Sequence, residues 1–352
     1  MFINLPDNHK AFYDSVLINS LTALKLNRHF DNFDERRFNF DGQDHSKEFD
    51  AGTHAFFFDW FVKNSEKLFA AYSLLDDEAS KRMYLHLIAF RLGGHLSVKL
   101  PVNFAGKTKE LADYQAMAKY TTSTLPNNGI FGKLRHYDFT HAGHRYVIDC
   151  LNLEPYIFRG QYYYAKNGVS IMPEKGDAVL DGGACTGDTS LIFSNSVGEE
   201  GVVYAFDPVA DHLDILDYNV KQFPLKNVKI MPFGVADKNV FAKPIVLNQY
   251  APGFRSGNQT LPLRAIDYLV SAGEIPKLDF VKLDVEGAEM ETLRGALQSI
   301  GRFKPKLAIS LYHKPNDLFD IILFIKEKFP FYTCFIDHYT IHAEETVLYC
   351  KA

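Results

Sequence analysis

The chain of 352 residues is long enough for two domains, and with 47% apolar and 23% charged residues it has an ordinary globular composition. A formal net charge of −5 gives no electrostatic reason to expect a nucleic-acid partner. Residues 1–12 lack the pattern of a signal peptide, and the apolar run 56–62 is too short and too polar to cross a bilayer. We therefore expect a cytoplasmic protein without a membrane segment.

The first half of the chain is predicted to be mainly helical. Apolar residues follow a helical spacing over 10–27, and an aromatic cluster begins a second helix over about 56–75. Acids at 76–78 begin a third helix, which two glycines end at 93–94. A turn at 126–129, short strands and one more helix near 107–119 complete this half. We expect residues 1–150 to form an accessory lobe and residues 151–352 a second domain.

Three histidines, His136, His141 and His144, cluster around a tyrosine and an aspartate. Metal binding, substrate contact and a polar surface loop all stay open for them. Since their spacing is not that of a tight ligand set, the surface loop is favoured.

Residues 173–208 have the pattern of a strand, a glycine-rich turn, a helix and a second strand. The apolar run 178–180 ends at Asp181, and Asp188 and Thr189 are suited to the start of the helix. Three glycines let the backbone turn tightly and approach a ligand closely: Gly182, Gly183 and Gly187. The turn therefore predicts a pocket for a nucleotide-like ligand.

The second strand of this unit ends on Asp207 and Pro208. An acid at this point of a nucleotide-binding α/β unit accepts hydrogen bonds from ribose hydroxyls. Gln161 and Tyr162 precede the first strand, where they can reach the other end of the same ligand. Packing of the tyrosine against the core is an equally good interpretation.

The glycine turn departs from the dinucleotide pattern G-x-G-x-x-G, because Ala184 occupies the middle glycine position. Asp181, Gly183 and Gly187 instead resemble the acid-x-Gly-x-x-x-Gly loop with which class I methyltransferases hold S-adenosylmethionine. That cofactor has no pyrophosphate, so it does not need the dinucleotide geometry.

The remaining chain alternates strands and helices, which predicts a doubly wound α/β sheet. Ala236 and Asp237 follow the third strand, at 228–231, where they would flank an adenine. A polar excursion at 245–260 is expected to line the substrate side. The other predicted elements are helices at 263–272, 285–300 and 317–329, strands at 279–284 and 306–311, and a closing antiparallel pair at 332–336 and 346–350.

Acidic and imidazole side chains lie at the carboxyl ends of the predicted strands, where open α/β sheets bind their ligands. Asp284 and His313 are candidate bases, with Glu286 as a third catalytic candidate. Asp284 with Glu286 or Glu289 would also suit a divalent cation such as Mg²⁺. As an alternative, the two glutamates only stabilise the first turn of a helix.

Several motifs together resemble the FkbM family of S-adenosylmethionine-dependent methyltransferases. They are VLDGGACTGDT at 179–189, YAFDP at 204–208, GVAD at 234–237, DFVKLDVEGAE at 279–289, LRGA at 293–296 and YHK at 312–314. Family members usually carry Glu where this chain has Asp207, which shortens the reach toward the ribose. The segment 74–92 is similar to a helical stretch of larger members, which suggests an accessory or oligomerising lobe.

The resemblance implies a Rossmann-like class I methyltransferase fold and O-methylation of a saccharide, a polyketide or a related natural product. It implies that the cofactor is held by Gln161, Tyr162, Asp181, Gly182, Gly183, Ala184, Gly187, Asp188, Thr189, Asp207, Pro208, Ala236, Asp237 and Asp284. An NAD-dependent oxidoreductase and a non-catalytic scaffold are the alternatives. The alanine at 184 disfavours the first, and the intact acids at the strand ends disfavour the second.

Overall fold

A computed structural model describes residues 2, 4–38, 46–126, 133–247 and 257–352. Most of the predicted turn at 126–129 and the centre of the predicted excursion, 248–256, lie outside these residues. The chain divides into two compact units: Met1–Ala105 with Leu311–Tyr349, and Gly106–Ser310 with Cys350–Ala352.

The helices of the described residues are α1 (His9–Leu26), α2 (Glu35–Phe38), α3 (Ala51–Ser73), α4 (Glu78–Gly93), α5 (Thr108–Met117), α6 (Glu154–Ile157), α7 (Asp188–Val197), α8 (Ala210–Gln222), α9 (Ile266–Ser271), α10 (Glu289–Arg294), α11 (Leu297–Phe303) and α12 (Asp317–Lys328). The strands are β1 (Tyr120–Thr122), β2 (Arg135–His141), β3 (His144–Cys150), β4 (Tyr164–Lys166), β5 (Val169–Ile171), β6 (Ala178–Gly182), β7 (Val202–Phe206), β8 (Val228–Met231), β9 (Gly234–Val235), β10 (Val240–Leu247), β11 (Gly257–Arg264), β12 (Phe280–Leu283), β13 (Lys306–Ser310), β14 (Thr333–His338) and β15 (Thr346–Lys351). None of these helices is both long enough and apolar enough to cross a membrane.

The first unit confirms the predicted helices of the N-terminal region. Helix α3 begins at Ala51, earlier than predicted, because the Asp50 carboxylate accepts hydrogen bonds from Gly52 N at 2.9 Å and Thr53 N at 3.2 Å. Helix α1 packs on α3 and α4 through a core of aromatic rings. The Phe12 ring, for example, lies 5.4 Å from the Tyr72 ring, centroid to centroid.

The first unit also contains α12 and the neighbouring strands β14 and β15 from the C-terminal region. Helix α4 is fixed to β14 by hydrogen bonds from Asp76 N to Cys334 O at 2.9 Å and from Ile336 N to Ser80 Oγ at 2.9 Å. These bonds occupy backbone groups of β14 that would otherwise be exposed at a sheet edge.

The second unit contains five parallel strands in the order β13-β12-β6-β7-β8. Strand β12 lies between β6 and β13, with Val281 opposite Leu180 on one side and Leu307 on the other. All residues of β6 and β12 are buried, as is usual for parallel strands that are covered on both faces. The predicted parallel sheet is therefore confirmed.

The three-stranded sheet β1-β2-β3 belongs to the second unit, so the units differ from the predicted division at residue 150. The Asn219 side chain of α8 accepts a hydrogen bond from Asp149 N and donates one to Asp149 O, both at 2.8 Å. These long-range bonds tie β3 to helix α8.

Two stretches of the second unit differ from the predicted elements. The described parts of the excursion at 245–260 belong to β10 and β11, which pair antiparallel. Because β11 continues to Arg264 and pairs there with β9, helix α9 begins only at Ile266, not at 263. The predicted helix at 285–300 is divided into α10 and α11, which are separated at Gly295 and Ala296.

Candidate functional site

The glycine loop joins β6 to α7 and approaches its neighbours closely. Gly183 has a φ of +78°, and a Cβ there would lie 1.8 Å from the Asp284 carbonyl oxygen. Gly187 precedes α7 with a φ of +88°, and a Cβ there would lie 2.4 Å from Leu216 Cδ1. Only glycine fits these two positions without displacement of the backbone or the neighbour. Cys185, between them, has a φ of +48°, which is uncommon for a residue with a Cβ.

Asp181 is fully buried at the end of β6 and is bonded within the protein. Its Oδ2 accepts hydrogen bonds from Thr189 Oγ1 at 2.7 Å and Ser190 Oγ at 2.6 Å. Its Oδ1 lies 2.9 Å from Lys282 Nζ. Asp181 thus holds the start of α7 and the neighbouring strand β12 together, and its predicted contact with a cofactor stays a prediction.

Lys282 is a buried cation of this region for which no role was predicted from the sequence. Its ammonium group also donates a hydrogen bond to Gly183 O at 2.8 Å, so it holds the glycine loop directly. Burial alone would lower the pKa of Lys282, but the carboxylates of Asp181 and Asp284 outweigh that effect and raise it. The lysine is therefore charged. Asp284, two residues later, directly follows the end of β12.

The Asp284 side chain is held by a chain of two hydrogen bonds. Tyr162 donates its hydroxyl to Asp284 Oδ2 at 2.9 Å, and Gln161 Nε2 donates to that hydroxyl at 3.2 Å. Tyr162 is buried with a φ of +71°, an unfavourable backbone conformation for a bulky residue. Strain of this kind persists where the surroundings impose it, often at functional sites. The structure thus brings three of the predicted site residues together.

Asp207, at the end of β7, is 4% exposed and accepts three hydrogen bonds from the protein. Cys185 N donates to Oδ2 at 2.9 Å, and Val209 N donates to Oδ1 at 2.9 Å. Nδ1 of the His212 ring lies 3.1 Å from Oδ1 of Asp207. The acid is therefore fixed by the glycine loop, the turn after β7 and helix α8.

His212 is 2% exposed and was not singled out in the sequence. Burial of the ring lowers its pKa, but the neighbouring Cys185 and Asp207 outweigh burial and raise it. A histidine five residues after the acid, on the first turn of the following helix, was the available signal. This spacing predicts a contact only if the turn after β7 is known to fold back onto Asp207.

Thr186 is a third residue of this region without a sequence-based prediction. It is 1% exposed, and its hydroxyl has no hydrogen-bond partner among the described residues. Its carbonyl oxygen accepts a hydrogen bond from Asn219 Nδ2 at 2.7 Å, which fixes this part of the loop. A buried hydroxyl without a partner is costly, so this atom suits a polar ligand group.

The predicted residues at the helix start have different environments. Asp188 is 9% exposed, and burial raises its pKa to about 6. Thr189 is bonded to Asp181, as described above. Ala184 is fully buried, with its N donating to Phe206 O at 2.9 Å, and Gly182 is buried in β6.

The remaining predicted residues lie around this loop or apart from it. Ala236 is buried with its N bonded to Arg264 O at 2.9 Å, Asp237 is exposed and Pro208 is half-buried. Glu286 is exposed with a φ of +54°. Glu289 is fully buried, and its Oε1 accepts a hydrogen bond from Val285 N at 2.8 Å, which suits the helix-start interpretation. His313 belongs to the first unit, and its catalytic role stays a prediction.

The three histidines of the β2-β3 hairpin do not form one cluster. His141 lies opposite His144 at the hairpin end, and both are exposed. His136 lies five positions earlier on β2, about 16 Å away along an extended strand. Its Nδ1 lies 2.8 Å from Asp149 Oδ2. A common metal site for the three side chains does not fit this geometry.

Comparisons with known proteins show what this region is similar to. Residues 181–329 match the model of the methyltransferase FkbM domain. A hexuronic acid methyltransferase of Haloferax volcanii, AglP, is 34% identical over 134 residues, which are 36% of this chain and 54% of that protein. The chain thus spans about half the length of this curated relative.

A solved structure shows the same fold. The crystal structure of a methyltransferase FkbM from Methylobacillus flagellatus KT aligns with a TM-score of 0.54 and 19% identity, over 83% of this chain and 60% of that one. The predicted class I methyltransferase fold is therefore confirmed, as is the resemblance to the FkbM family, on the residues that the domain match covers.

Proposed function

From the methyltransferase FkbM domain at residues 181–329, we propose that this protein transfers a methyl group from S-adenosylmethionine to a hydroxyl group of a saccharide or similar metabolite. The observation that carries this proposal is the glycine loop between β6 and α7, which lies against the acid at the end of β7. A nucleoside ligand needs both features: close approach to the backbone and an acceptor for its ribose hydroxyls.

The residues of the loop fit the proposed cofactor. Gly183 and Gly187 leave room where a Cβ would collide, and the buried Thr186 hydroxyl has no hydrogen-bond partner within the part of the chain that the structure describes. Asp207 has room for one more donor, since a carboxylate accepts about four hydrogen bonds. When bound, the cofactor supplies an electrophilic methyl group on a sulfonium.

The proposed part of the protein in catalysis is to orient the acceptor and remove its proton. Asp284 is our first candidate for the base, because Tyr162 holds its carboxylate in place. Glu286 and His313 are the other candidates. The predicted cation at Asp284, Glu286 and Glu289 stays a prediction, and so do a cytoplasmic location and oligomers through the N-terminal region.

The acceptor is proposed from the curated relative, whose name states a hexuronic acid as its substrate. A saccharide that contains a hexuronic acid is therefore the first acceptor to test. The measurement is transfer of a labelled methyl group to glucuronic acid, with glucose as the matched neutral sugar. Transfer to glucuronic acid alone would support a hexuronic acid as the acceptor, and a product that resists alkali would show a methyl ether at a hydroxyl and not a carboxylate ester. Transfer to neither would direct the search to other hydroxylated metabolites.

The cofactor is tested by thermal unfolding with S-adenosylmethionine, S-adenosylhomocysteine or NAD. A ligand at about 100 times its dissociation constant adds roughly 2.7 kcal/mol to the free energy of unfolding. We expect stabilisation by both adenosyl compounds and none by NAD. Stabilisation by NAD alone would support the oxidoreductase alternative instead, and no stabilisation by any of them would favour a non-catalytic scaffold.

A further inference from the structure

The contacts of Asp207 determine which of its oxygens can receive a ligand. Oδ1 already accepts two hydrogen bonds, from Val209 N and from the His212 ring, whereas Oδ2 accepts one, from Cys185 N. A carboxylate oxygen has two acceptor directions. A ribose hydroxyl can therefore bond only to Oδ2, and the position of Oδ2 depends on what holds Oδ1.

The orientation of an aspartate carboxylate is not fixed by its own torsion angle. Rotation about the Cβ–Cγ bond has a broad energy minimum, so hydrogen-bond partners determine where the two oxygens point. Val209 N belongs to the turn directly after Asp207, and Cys185 N belongs to the glycine loop. His212 supplies the third donor, from a side chain that is 2% exposed on helix α8.

His212 also supplies charge. Asp207 is 4% exposed, and a buried carboxylate is costly unless a cation or several donors accompany it. The salt-bridge contact of 3.1 Å between the two side chains provides such a partner. Because the aspartate side chain is short, it has little freedom to correct a misplaced carboxylate.

We propose that His212 is a positioning residue for the cofactor: it holds Oδ1 of Asp207 so that Oδ2 faces the ribose. This inference rests on the proposed function, because it assumes that the ligand of the loop is an adenosyl cofactor. Nothing in the acceptor site or in the transfer step depends on His212. Its loss weakens cofactor binding and leaves turnover at saturating cofactor intact.

The test compares three variants of the full-length protein by titration with S-adenosylhomocysteine. His212→Leu removes the donor and the charge, and we expect its dissociation constant to rise about tenfold, the loss of one hydrogen bond to a charged group. His212→Asn restores an N–H at the δ position, and we expect it to bind within about threefold of the wild type. His144→Leu changes an exposed histidine and should bind as the wild type does.

A double-mutant cycle with Asp207→Asn separates positioning from a general effect on the fold. If His212 acts through Asp207, His212→Leu weakens binding in the wild-type background but adds little in the Asp207→Asn background. In steady-state assays, His212→Leu should raise KM for S-adenosylmethionine and change kcat by less than about twofold. Equal losses in both backgrounds, or a His212→Asn variant as weak as His212→Leu, would overturn the inference.

The same titration distinguishes failure of this inference from failure of the proposed function. A wild type that binds S-adenosylhomocysteine together with a His212→Leu variant that binds equally well overturns only the role of His212. A wild type that does not bind it overturns the proposed cofactor, and with it this inference. Unfolding of each unliganded variant in urea shows whether any loss follows from a general loss of stability.

Discussion

Lys282 and Asp181 form an ion pair inside the parallel sheet, where neither side chain has contact with bulk water. Lys282 is 1% exposed and Asp181 0%. Such a pair offsets its desolvation only when hydrogen bonds satisfy the remaining donors and acceptors. Here Gly183 O, Thr189 and Ser190 supply them. The pair thus determines the position of the glycine loop.

Removal of one partner of this pair should be more costly than removal of both. We expect Lys282→Met to lower the free energy of unfolding by about 3 to 5 kcal/mol, because it leaves the Asp181 carboxylate buried without a cation. The double variant Lys282→Met/Asp181→Asn should recover most of that loss, since an amide oxygen still accepts from Thr189. Urea unfolding measures all three proteins.

The matched control is Lys221→Met on the protein surface. Lys221 is paired with Asp217 four residues earlier on α8, and the two side chains are 69% and 48% exposed. Such pairs contribute less than about 1 kcal/mol. A single Lys282→Met variant as stable as this control would show that the buried pair does not stabilise the fold.

The buried acid Asp188 should make stability depend on pH. Because burial raises its folded-state pKa to about 6, the folded protein binds this proton more tightly than the unfolded chain does. Its contribution to the free energy of unfolding is therefore complete below about pH 4 and is lost as the pH rises through 6. Asp188→Asn should flatten this part of the profile and be more stable than the wild type at pH 7.5.

Urea unfolding at several pH values between 4 and 8 checks this expectation. Asp217→Asn, on the exposed face of α8, is the control and should follow the wild-type profile. An Asp188→Asn variant with the same pH dependence as the wild type would contradict the assignment of this proton to Asp188.

At the scale of the elements, the glycine loop depends on close contact between β6 and the end of β12. Gly183 and Gly168 have the same φ of +78°, but a Cβ meets the Asp284 carbonyl oxygen at Gly183 and nothing within 4 Å at Gly168. Alanine variants at these two glycines therefore separate two effects on stability. Backbone strain is common to both sites, whereas collision with a neighbouring atom occurs only at Gly183.

We expect Gly168→Ala to cost about 1 to 2 kcal/mol, the strain of a left-handed backbone. Gly183→Ala should cost at least about 2 kcal/mol more, because the collision displaces the loop or the strand end. Thermal unfolding without ligand gives the difference, and cofactor titration should show a loss of binding only for Gly183→Ala. Equal costs at the two glycines would mean that the loop tolerates the added methyl group.

At the scale of the whole chain, each compact unit combines segments that are distant in sequence. In the first unit the Trp60 indole donates its Nε1–H to Asn316 Oδ1 at 2.9 Å, so α3 holds the start of α12. In the second unit Asn219 holds β3. Neither unit is a continuous piece of the chain, so a cut at residue 150 divides both.

A fragment of residues 151–352 should therefore not fold as an independent domain. It lacks α3 and α4, so apolar residues of α12 that are buried in the first unit, such as Leu318 and Phe319, become exposed. We expect aggregation on size exclusion and no cooperative thermal transition, whereas the full chain unfolds cooperatively. A fragment with the melting temperature of the full chain would instead support the predicted boundary at residue 150.

The sequence by itself determined the parallel sheet, the glycine loop and the resemblance to the FkbM domain over residues 181–329, because each depends on local signals. Apolar runs of three to five residues that end on glycine or an acid predict buried strands, and the positions of Gly183 and Gly187 follow from the backbone turn alone. The strand ends at Asp207 and Asp284 were predicted for the same reason.

Only the tertiary structure decided the partners of these residues. The local sequence around Lys282 and His212 does not show which acid each of them contacts, since one lies in an apolar strand and the other on an amphipathic helix. Lys282 contacts Asp181, which is distant in sequence, and His212 contacts Asp207, which a turn brings near. The division into units could not be predicted from the sequence for the same reason. It depends on hydrogen bonds between distant segments, and these bonds leave no periodic pattern along the chain.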